Sequence, residues 1–142
     1  MSRCFVADYP VRFGEIDHAG VMYYPAIFDR IHRCFEDFWV EAVGKTYAQI
    51  LNDDGIGFPL IDTKTTFRRP FRLGDVARVR VDVERIGRKS VSFRFRLGTP
   101  AHEDGHAEAH MVNGVISMAD FTPTPLPDAY REALRPFLVE AE

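Results

Sequence analysis

A run of large apolar residues between positions 25 and 44 constrains the fold more than any other feature of this chain. Apolar side chains recur there at spacings of three and four residues, which is the periodicity of one face of an α-helix. They are Phe28, Ile31, Phe35, Phe38, Trp39 and Ala42. Pro25 suits the first turn of a helix and Gly44 its end. A helix face this wide and aromatic needs a broad cover, which we expect to be a β-sheet.

The second half of the chain supplies the strands for such a sheet. Apolar residues alternate with charged and polar residues over positions 77–84 and again over 91–97, a period of two that is typical of strands with one buried face. The residues between these strands, 87–89, predict a hairpin turn. Further extended segments are expected over 5–13, 59–71 and 106–118, and short helices over 47–51 and 128–138. The order of strand, long helix and four strands predicts an α+β fold with one antiparallel sheet.

Length, charge and cysteine content limit the class of protein. A chain of 142 residues is expected to form one domain, residues 1–142, with its core over about 5–118 and a C-terminal tail over 119–142. The formal net charge of −3 argues against a general nucleic-acid binder, and no apolar run approaches the ~20 residues that span a membrane. Cys4 and Cys34 form no disulfide framework, Cys34 is expected to fill the core, and a cytoplasmic location is the expectation.

The segment before the long helix combines residue types that suit acyl transfer to water. A strand-like lead-in ends at Asp17, Gly20 predicts a turn, and the helix begins about seven residues after Asp17. A carboxylate can attack a carbonyl carbon or activate water, and the unpaired N–H groups of a helix start can stabilise a developing oxyanion. A lone Asp before a glycine turn is more often a turn-former or a helix cap, and that alternative stays open on the residues alone.

The same segment resembles a known family. The run FGEIDHAGV over residues 13–21, followed by Tyr23, Tyr24 and Pro25, is similar to the hotdog-fold acyl-CoA thioesterases, specifically the 4-hydroxybenzoyl-CoA thioesterase branch. The similarity covers about residues 5–118 and includes a weaker match over residues 87–90. It implies a sheet wrapped around the long helix and a homodimer with sheets joined edge to edge. It also implies active sites at the interface and an association of dimer pairs into a tetramer.

The resemblance implies roles for Asp17 and Tyr24 at the start of the long helix, and their neighbours Gly20 and His18 are candidates by position. Asp17 is the expected catalytic residue, as nucleophile or as general base for water. Tyr24 falls at the position whose backbone N–H polarises the thioester carbonyl. Gly20 and His18 are expected to line the substrate site, with Gly20 permitting a sharp turn and close approach of a ligand. The complete motif therefore favours a catalytic role for Asp17 over a purely structural one.

Further residues are expected to bind the substrate. The resemblance implies that Arg88 and Lys89 at the predicted hairpin contact the phosphates of coenzyme A, and guanidinium and ammonium groups both suit phosphate oxygens. On the residues alone, a solvated hairpin tip is the favoured interpretation of this pair. Arg85 is a weaker candidate for the same contact, and the basic pair at 68–69 is another. In the 4-hydroxybenzoyl branch a carboxylate on the long helix recognises the substrate's hydroxyl, and the matching position here is His32. The acyl group therefore stays open between aromatic and fatty chains.

Two groups of polar residues have competing interpretations. Glu15 could be a second carboxylate of the site, although a solvated surface charge is the favoured interpretation. His106, Glu108 and His110 alternate along a predicted strand, which suits a metal site but more often marks a polar sheet face. No obvious fourth ligand lies nearby, so no metal is predicted, and no cofactor is expected beyond the coenzyme A of the substrate.

The sequence thus predicts an enzyme that hydrolyses an aromatic or fatty acyl-CoA to the free acid and coenzyme A. Two alternatives remain. A non-catalytic acyl-CoA sensor would bind the ester without using a nucleophile. A hotdog hydratase or dehydratase usually needs an Asp and a His a few residues apart, and the adjacent Asp17 and His18 lack that spacing.

Overall fold

Two layers build the protein, one a β-sheet and the other the long helix. The computed structural model describes residues 2–139; Met1 and residues 140–142, which the predicted domain also includes, lie outside the described residues. The sheet is antiparallel with the strand order β1-β4-β5-β6-β3. Its strands are β1 Phe5–Pro10, β3 Leu60–Phe67, β4 Val76–Ile86, β5 Ser90–Gly98 and β6 Ala107–Gly114, and the helix is α1 Tyr24–Val43. The predicted α+β hotdog architecture, a sheet wrapped around one long helix, is confirmed.

Smaller elements complete the chain. They are two helices, α2 Tyr47–Asn52 and α3 Asp128–Leu134, two short strands, β2 Ile56–Gly57 and β7 Ile116–Ser117, and the 3₁₀ turns Phe13–Glu15 and Arg135–Phe137. Strands β2 and β7 pair with each other in a second, two-stranded sheet. The sequence analysis missed this pair, because two residues are too few to show a periodicity.

The signals at the ends of α1 act as the sequence predicts. Pro25 lies in the first turn, where its missing N–H leaves no intrahelical hydrogen bond unmade. Gly44 follows the last helical residue with φ of 78°, and its N–H donates to the carbonyl of Val40 at 3.0 Å. Only glycine adopts this left-handed conformation without a steric penalty, so the helix stops there.

An aromatic cluster joins α1 to the sheet. Phe38 and Trp39 are 0% exposed, and the ring centroid of Phe38 lies 5.8 Å from that of Phe93 on β5. Phe137 from the C-terminal segment closes the other side of Phe38, with centroids 4.9 Å apart. The C-terminal segment thus contributes to the core, which the sequence analysis did not predict. Cys34 is also fully buried and free, as expected of a core filler.

The outer face of the sheet carries charge, as the alternation of residues predicts. Asp82 on β4 is 4% exposed and accepts hydrogen bonds from Arg94 at 2.7 and 3.1 Å and from Arg96 at 3.2 Å. These contacts compensate the cost of burying the carboxylate. They also raise the pKa of Arg94, chiefly through its hydrogen bond to Asp82.

Strand β3 forms an edge of the sheet and is exposed along nearly its whole length. Seven of its eight residues are exposed, and Leu60, Ile61 and Phe67 keep 51%, 65% and 48% of their surface open. Helix α1 packs mainly on β1, β4 and β5 and leaves β3 largely uncovered. Within residues 2–139 no helix is long and apolar enough to cross a membrane.

The core contacts of α1 generate a stability prediction. We expect Phe38→Ala to lower the free energy of unfolding by about 3–5 kcal/mol, because the removed ring leaves a cavity among four aromatic neighbours. Val40→Ala is the matched control on the same helix: Val40 is 50% exposed, and its loss should change stability by less than about 0.5 kcal/mol. Urea unfolding of both variants measures the difference. Equal losses would contradict the central role of the aromatic face.

Candidate functional site

The loop between β1 and α1 is a closed turn around Asp17. The backbone N–H of Asp17 donates to the carbonyl of Val21 at 2.9 Å, and that of Gly20 donates to the carbonyl of Asp17 at 3.0 Å. Gly20 has φ of 81°, so the turn predicted there is present and requires glycine. The N–H of Met22 donates to the carbonyl of Phe71 at 2.8 Å, which fixes the loop against the segment leading into β4.

The carboxylate of Asp17 has one anchored oxygen and one free oxygen. Oδ1 accepts hydrogen bonds from the N–H groups of Ala19 at 2.9 Å and Val21 at 3.5 Å. Oδ2 has no hydrogen-bond partner within residues 2–139. Asp17 is half-buried and lines a groove of about 840 Å³. His18, which is exposed, lines the same groove. Asp17 is therefore a turn-former that keeps one carboxylate oxygen unused and lies on the wall of a groove.

A buried ion pair ties this loop to α1. One carboxylate oxygen of Glu15 pairs with the guanidinium of Arg30, a residue that is only 7% exposed. The other oxygen of this carboxylate accepts a hydrogen bond from the backbone N–H of Arg12 at 2.7 Å. The backbone carbonyl of Glu15 accepts from Tyr23 at 2.8 Å. The interpretation of Glu15 as a solvated surface charge is wrong, because its side chain is only 12% exposed and fully engaged.

Sequence reasoning missed Arg30 altogether. A signal was available: Arg30 lies three residues after Ile27 and four before Cys34, on the buried face of α1. A charge at such a position needs a partner of opposite sign, since burying an unpaired charge is very costly. Asp29 adds a second contact to the same guanidinium at 2.7 Å.

Tyr24 lies beside a different cavity. As the first residue of α1 its N–H has no acceptor within the described part of the chain, as is usual for a helix start. Tyr24 lines a cavity of about 310 Å³ together with Phe67, Arg68 and Arg69, among others. The groove at Asp17 is lined by Tyr23 and Pro25 instead. Asp17 and Tyr24 thus share the loop–helix junction but face neighbouring cavities.

An apolar cavity of about 320 Å³ lies on another face of α1. His32 lines it with aromatic and aliphatic side chains that include Phe28, Phe35 and Leu60. The ring of His32 stacks on Phe35 with centroids 5.8 Å apart, and its Nε2 lies 3.2 Å from a carboxylate oxygen of Glu36. The groove at Asp17 is lined by Asp29 and Arg33 of α1 and not by His32. Within one chain, His32 and Asp17 therefore line different cavities.

Arg88 and Lys89 lie at the far end of the sheet from Asp17. Both are exposed at the β4–β5 hairpin, whereas the Asp17 loop adjoins the start of β4 through the bond from the N–H of Val11 to the carbonyl of Asp75 at 3.0 Å. Strand β4 has 11 residues, and at ~3.3 Å per residue its ends lie about 33 Å apart. A shared site for these residues therefore requires a second copy of the chain.

The three alternating residues at 106, 108 and 110 do not converge on one point: His106 lies just before β6, whereas Glu108 and His110 lie on the strand with His110 Nε2 3.5 Å from a carboxylate oxygen of Glu108. His106 is 3% exposed and its ring stacks on Phe71 with centroids 4.3 Å apart. Glu108 pairs with Arg68 at 3.3 Å, and His110 pairs with Glu84 at 2.6 Å. Within residues 2–139 no cluster of three or more His, Cys, Asp or Glu side chains could hold a metal ion.

The buried ion pair yields a prediction. We expect Glu15→Gln to destabilise the protein by about 3 kcal/mol, because it leaves the guanidinium of Arg30 buried with only Asp29 as a partner. The double variant E15Q/R30M should recover part of this loss, since it removes the uncompensated charge. Thermal or urea unfolding of the single and double variants measures the coupling. Additive losses would show that the two side chains do not interact.

Comparison with known proteins gives a consistent result. Residues 11–134 match the model of the Thioesterase-like superfamily. A 1,4-dihydroxy-2-naphthoyl-CoA hydrolase of Prochlorococcus marinus (strain MIT 9303) is 34% identical over 95 residues, which span 61% of this chain and 62% of the relative. Another, from Synechococcus elongatus, is 24% identical over 92% of this chain and 97% of its own length.

A thioesterase-superfamily structure from Jannaschia sp. CCS1 superposes with a TM-score of 0.90 at 20% identity, covering 96% of this chain and 94% of that one. At this identity the likeness shows the fold alone. The family match, however, extends over more than four fifths of the sequence and includes the Asp17 loop, α1 and the whole sheet from β4 to β6. The chain belongs to the thioesterase-like superfamily.

Proposed function

We propose that this protein hydrolyses the thioester bond of an acyl-CoA, with Asp17 as nucleophile or general base. The observation that carries the proposal is the divided carboxylate: Oδ1 is held by two backbone N–H groups, Oδ2 has no hydrogen-bond partner among residues 2–139, and Asp17 is one of the residues that line a groove at the start of α1. A fixed carboxylate with one available oxygen suits attack on a carbonyl carbon. Membership of the thioesterase-like superfamily supports the same chemistry.

In this mechanism Asp17 acts in one of two ways. Its Oδ2 attacks the carbonyl carbon and the coenzyme A thiolate leaves, giving a mixed anhydride that water then opens. Alternatively it takes a proton from a water molecule that attacks the same carbon. The N–H of Tyr24 is the proposed donor to the carbonyl oxygen, because it is unpaired at the positive end of α1. In this proposal His18 lines the groove that the substrate enters, and Gly20 forms the turn beside it.

We further propose that the acyl group is aromatic. The cavity beside His32 is lined by five further aromatic side chains, which favours a flat ring over a flexible chain. His32, Tyr47 and Asn113 are the polar residues on its wall, and such groups can contact a ring hydroxyl. The relatives named as hydrolases of 1,4-dihydroxy-2-naphthoyl-CoA agree with this assignment.

The two alternative functions are less well supported. A sensor has no use for a carboxylate held with a free oxygen against a groove. A hydratase needs an Asp and His acting together, and the exposed His18 follows Asp17 directly on the same turn. Release of thiol from an acyl-CoA distinguishes hydrolysis from both.

We also propose that the active protein is a homodimer joined through β3. An exposed strand of eight residues with apolar ends is an open edge that soluble proteins normally cover. If β3 pairs with its copy in antiparallel fashion about its centre, Leu60 of one chain lies opposite Phe67 of the other. This pairing places the His32 cavity of one copy beside the Tyr24 cavity of the next, since Leu60 and Phe67 line them.

The dimer also allows Arg88 and Lys89 of one copy to serve a site in another. With a second copy present, Arg88 and Lys89 remain our proposed contacts to the phosphates of coenzyme A. The packing of two dimers into a tetramer is part of the same proposal, with the charged outer face of the sheet as the surface available for it.

The role of Asp17 is tested by Asp17→Asn. The amide oxygen can still accept the two loop hydrogen bonds, so we expect an unchanged melting temperature and a kcat reduced by roughly 10²–10⁴-fold. Asp120→Asn is the matched control, because Asp120 accepts from the N–H of Thr122 at 3.1 Å in a similar turn. Free-thiol release from aromatic and fatty acyl-CoA esters measures both. Activity of D17N within a few fold of the unaltered protein would remove Asp17 from its role.

The dimer is tested by Ile61→Lys. A charge at this exposed position of β3 should repel its copy, and we expect the variant to sediment as a monomer. Val6→Lys on the opposite edge strand β1 is the control; Val6 is 47% exposed, and this variant should remain dimeric. Sedimentation velocity at micromolar concentration gives the answer. A monomeric unaltered protein, or equal behaviour of the two variants, would contradict pairing through β3.

A further inference from the structure

A third cavity, of about 360 Å³, lies next to the one at Tyr24. Its wall includes Arg69, Arg72, Asp75, Thr99 and His106. Arg69 lines both cavities, so they adjoin along its side chain. The proposed reaction does not use this space, and of its residues the sequence analysis considered Arg69, in the basic pair at 68–69, and His106. We call it the His106 cavity.

The backbone around the His106 cavity is firmly held. The carbonyl of His106 accepts hydrogen bonds from the N–H groups of Arg68 at 2.8 Å and Arg69 at 3.2 Å, and the N–H of His106 donates to the carbonyl of Leu97 at 3.0 Å. The imidazole is 3% exposed and stacks on the buried ring of Phe71. These contacts fix the backbone of Arg69 relative to the imidazole before any ligand arrives, while the side chain of Arg69 is exposed.

The charged groups of the His106 cavity are incompletely paired. Arg68 has a carboxylate partner in Glu108 at 3.3 Å, but the guanidinium groups of Arg69 and Arg72 have none within residues 2–139. Asp75 is the one acidic group on the wall, and it accepts the backbone N–H of Arg72 at 2.8 Å. Two guanidinium groups facing one carboxylate leave an excess of positive charge.

The imidazole of His106 adds an unpaired polar group. Its Nδ1 is buried without a hydrogen-bond partner among the described residues. Burial, aided by the charge of Arg69, lowers the pKa of His106, so the ring is neutral at pH 7. A neutral imidazole keeps one N–H that can donate to an anion without adding charge.

We propose that the His106 cavity binds a phosphate group of the thioester substrate, with Arg69 and Arg72 as its charged ligands. Guanidinium groups bind phosphate oxygens in bidentate fashion, and two of them, unpaired and beside a fixed imidazole, suit that group better than a carboxylate or a neutral ligand. The inference rests on the proposed function for the identity of the substrate. It adds a phosphate site in the same chain that carries Tyr24, adjacent to it through Arg69.

This site differs from the one expected at the hairpin. Arg88 and Lys89 can reach a thioester at Tyr24 only from a second copy, whereas the His106 cavity adjoins the Tyr24 cavity directly. In this proposal the thioester lies in the cavity lined by Tyr24, Phe67 and Pro70. The part of coenzyme A that carries the phosphate extends from there into the adjoining cavity, which is lined by Arg69 and Arg72.

The test compares two substrates with the same acyl group. One is the coenzyme A ester and the other is the N-acetylcysteamine ester, which lacks phosphate. The variant R69Q/R72Q should raise KM for the coenzyme A ester by roughly tenfold or more, because each lost bond to a charged group is worth about that factor. It should leave kcat/KM for the phosphate-free ester within about twofold. K45Q/R135Q removes two surface positive charges outside the cavities and should change neither.

Binding of coenzyme A and of inorganic phosphate by calorimetry gives a second readout that needs no turnover. We expect R69Q/R72Q to weaken coenzyme A and R69K/R72K to recover part of the affinity. If inorganic phosphate competes with coenzyme A in the unaltered protein and not in R69Q/R72Q, the shared group is the phosphate. Unchanged coenzyme A binding in R69Q/R72Q, equal losses on both esters, or a KM effect confined to R88Q/K89Q would overturn the inference.

The outcomes also separate this inference from the proposed function. If the unaltered protein releases no thiol from any ester, hydrolysis is wrong, and the calorimetry still decides the phosphate site. If hydrolysis occurs and R69Q/R72Q binds and turns over coenzyme A esters normally, the function stands and the phosphate site does not.

Discussion

The burial of one aromatic face of α1 against the sheet fixes the positions on which every part of the proposed site depends. Phe38 and Trp39 are fully buried against Phe93, so the helix can neither slide nor rotate without exposing large rings. Its first turn is thereby held at one place, and the ion pair between Glu15 and Arg30 joins the Asp17 loop to the second turn of the same helix. The carboxylate and the unpaired N–H groups of the helix start are positioned by packing that lies well away from them.

The same packing leaves part of the sheet without a cover. One helix is too narrow to cover five strands, and it meets the exposed strand β3 near its end, where the ring centroids of Phe28 and Phe67 lie 6.0 Å apart. The cavities beside His32, Tyr24 and His106 adjoin this exposed side or its end through Leu60, Phe67 and Arg69. The location of the proposed substrate path thus follows from the limited width of one helix.

Much of the fold could be predicted from the sequence, because its signals are local. The period of α1 and the glycine at its end gave a helix over 25–44, and the structure has Tyr24–Val43. The alternating segments gave β4 and β5 in the same way. By contrast, the partnership of Glu15 with Arg30 joins residues fifteen positions apart, and no periodicity reports such a contact. The burial of Phe137 beside Phe38 depends on chain topology and was missed for the same reason.

The candidate site was predictable only as a list of residues. Local sequence placed Asp17 on a turn and Gly20 at its positive φ, and both features are present. The distance between that turn and the pair Arg88 and Lys89 depends on the length of β4 and on the strand order of the sheet. The identities of the individual residues do not reveal that distance. The catalytic and binding roles of Asp17, Tyr24, Gly20, His18, His32, Arg88 and Lys89 stay predictions.

The contribution of the C-terminal segment to the core has a consequence for biosynthesis. Tyr130, Leu134 and Phe137 cover the rings of α1, yet they follow that helix by more than eighty residues and are therefore synthesised long after it. Until they emerge from the ribosome, the nascent chain displays Phe38 and Trp39 beside β1, whose own partner strand begins some seventy residues later. The core of α1 is thus completed late in synthesis, and until then the growing chain presents an exposed aromatic surface that favours aggregation.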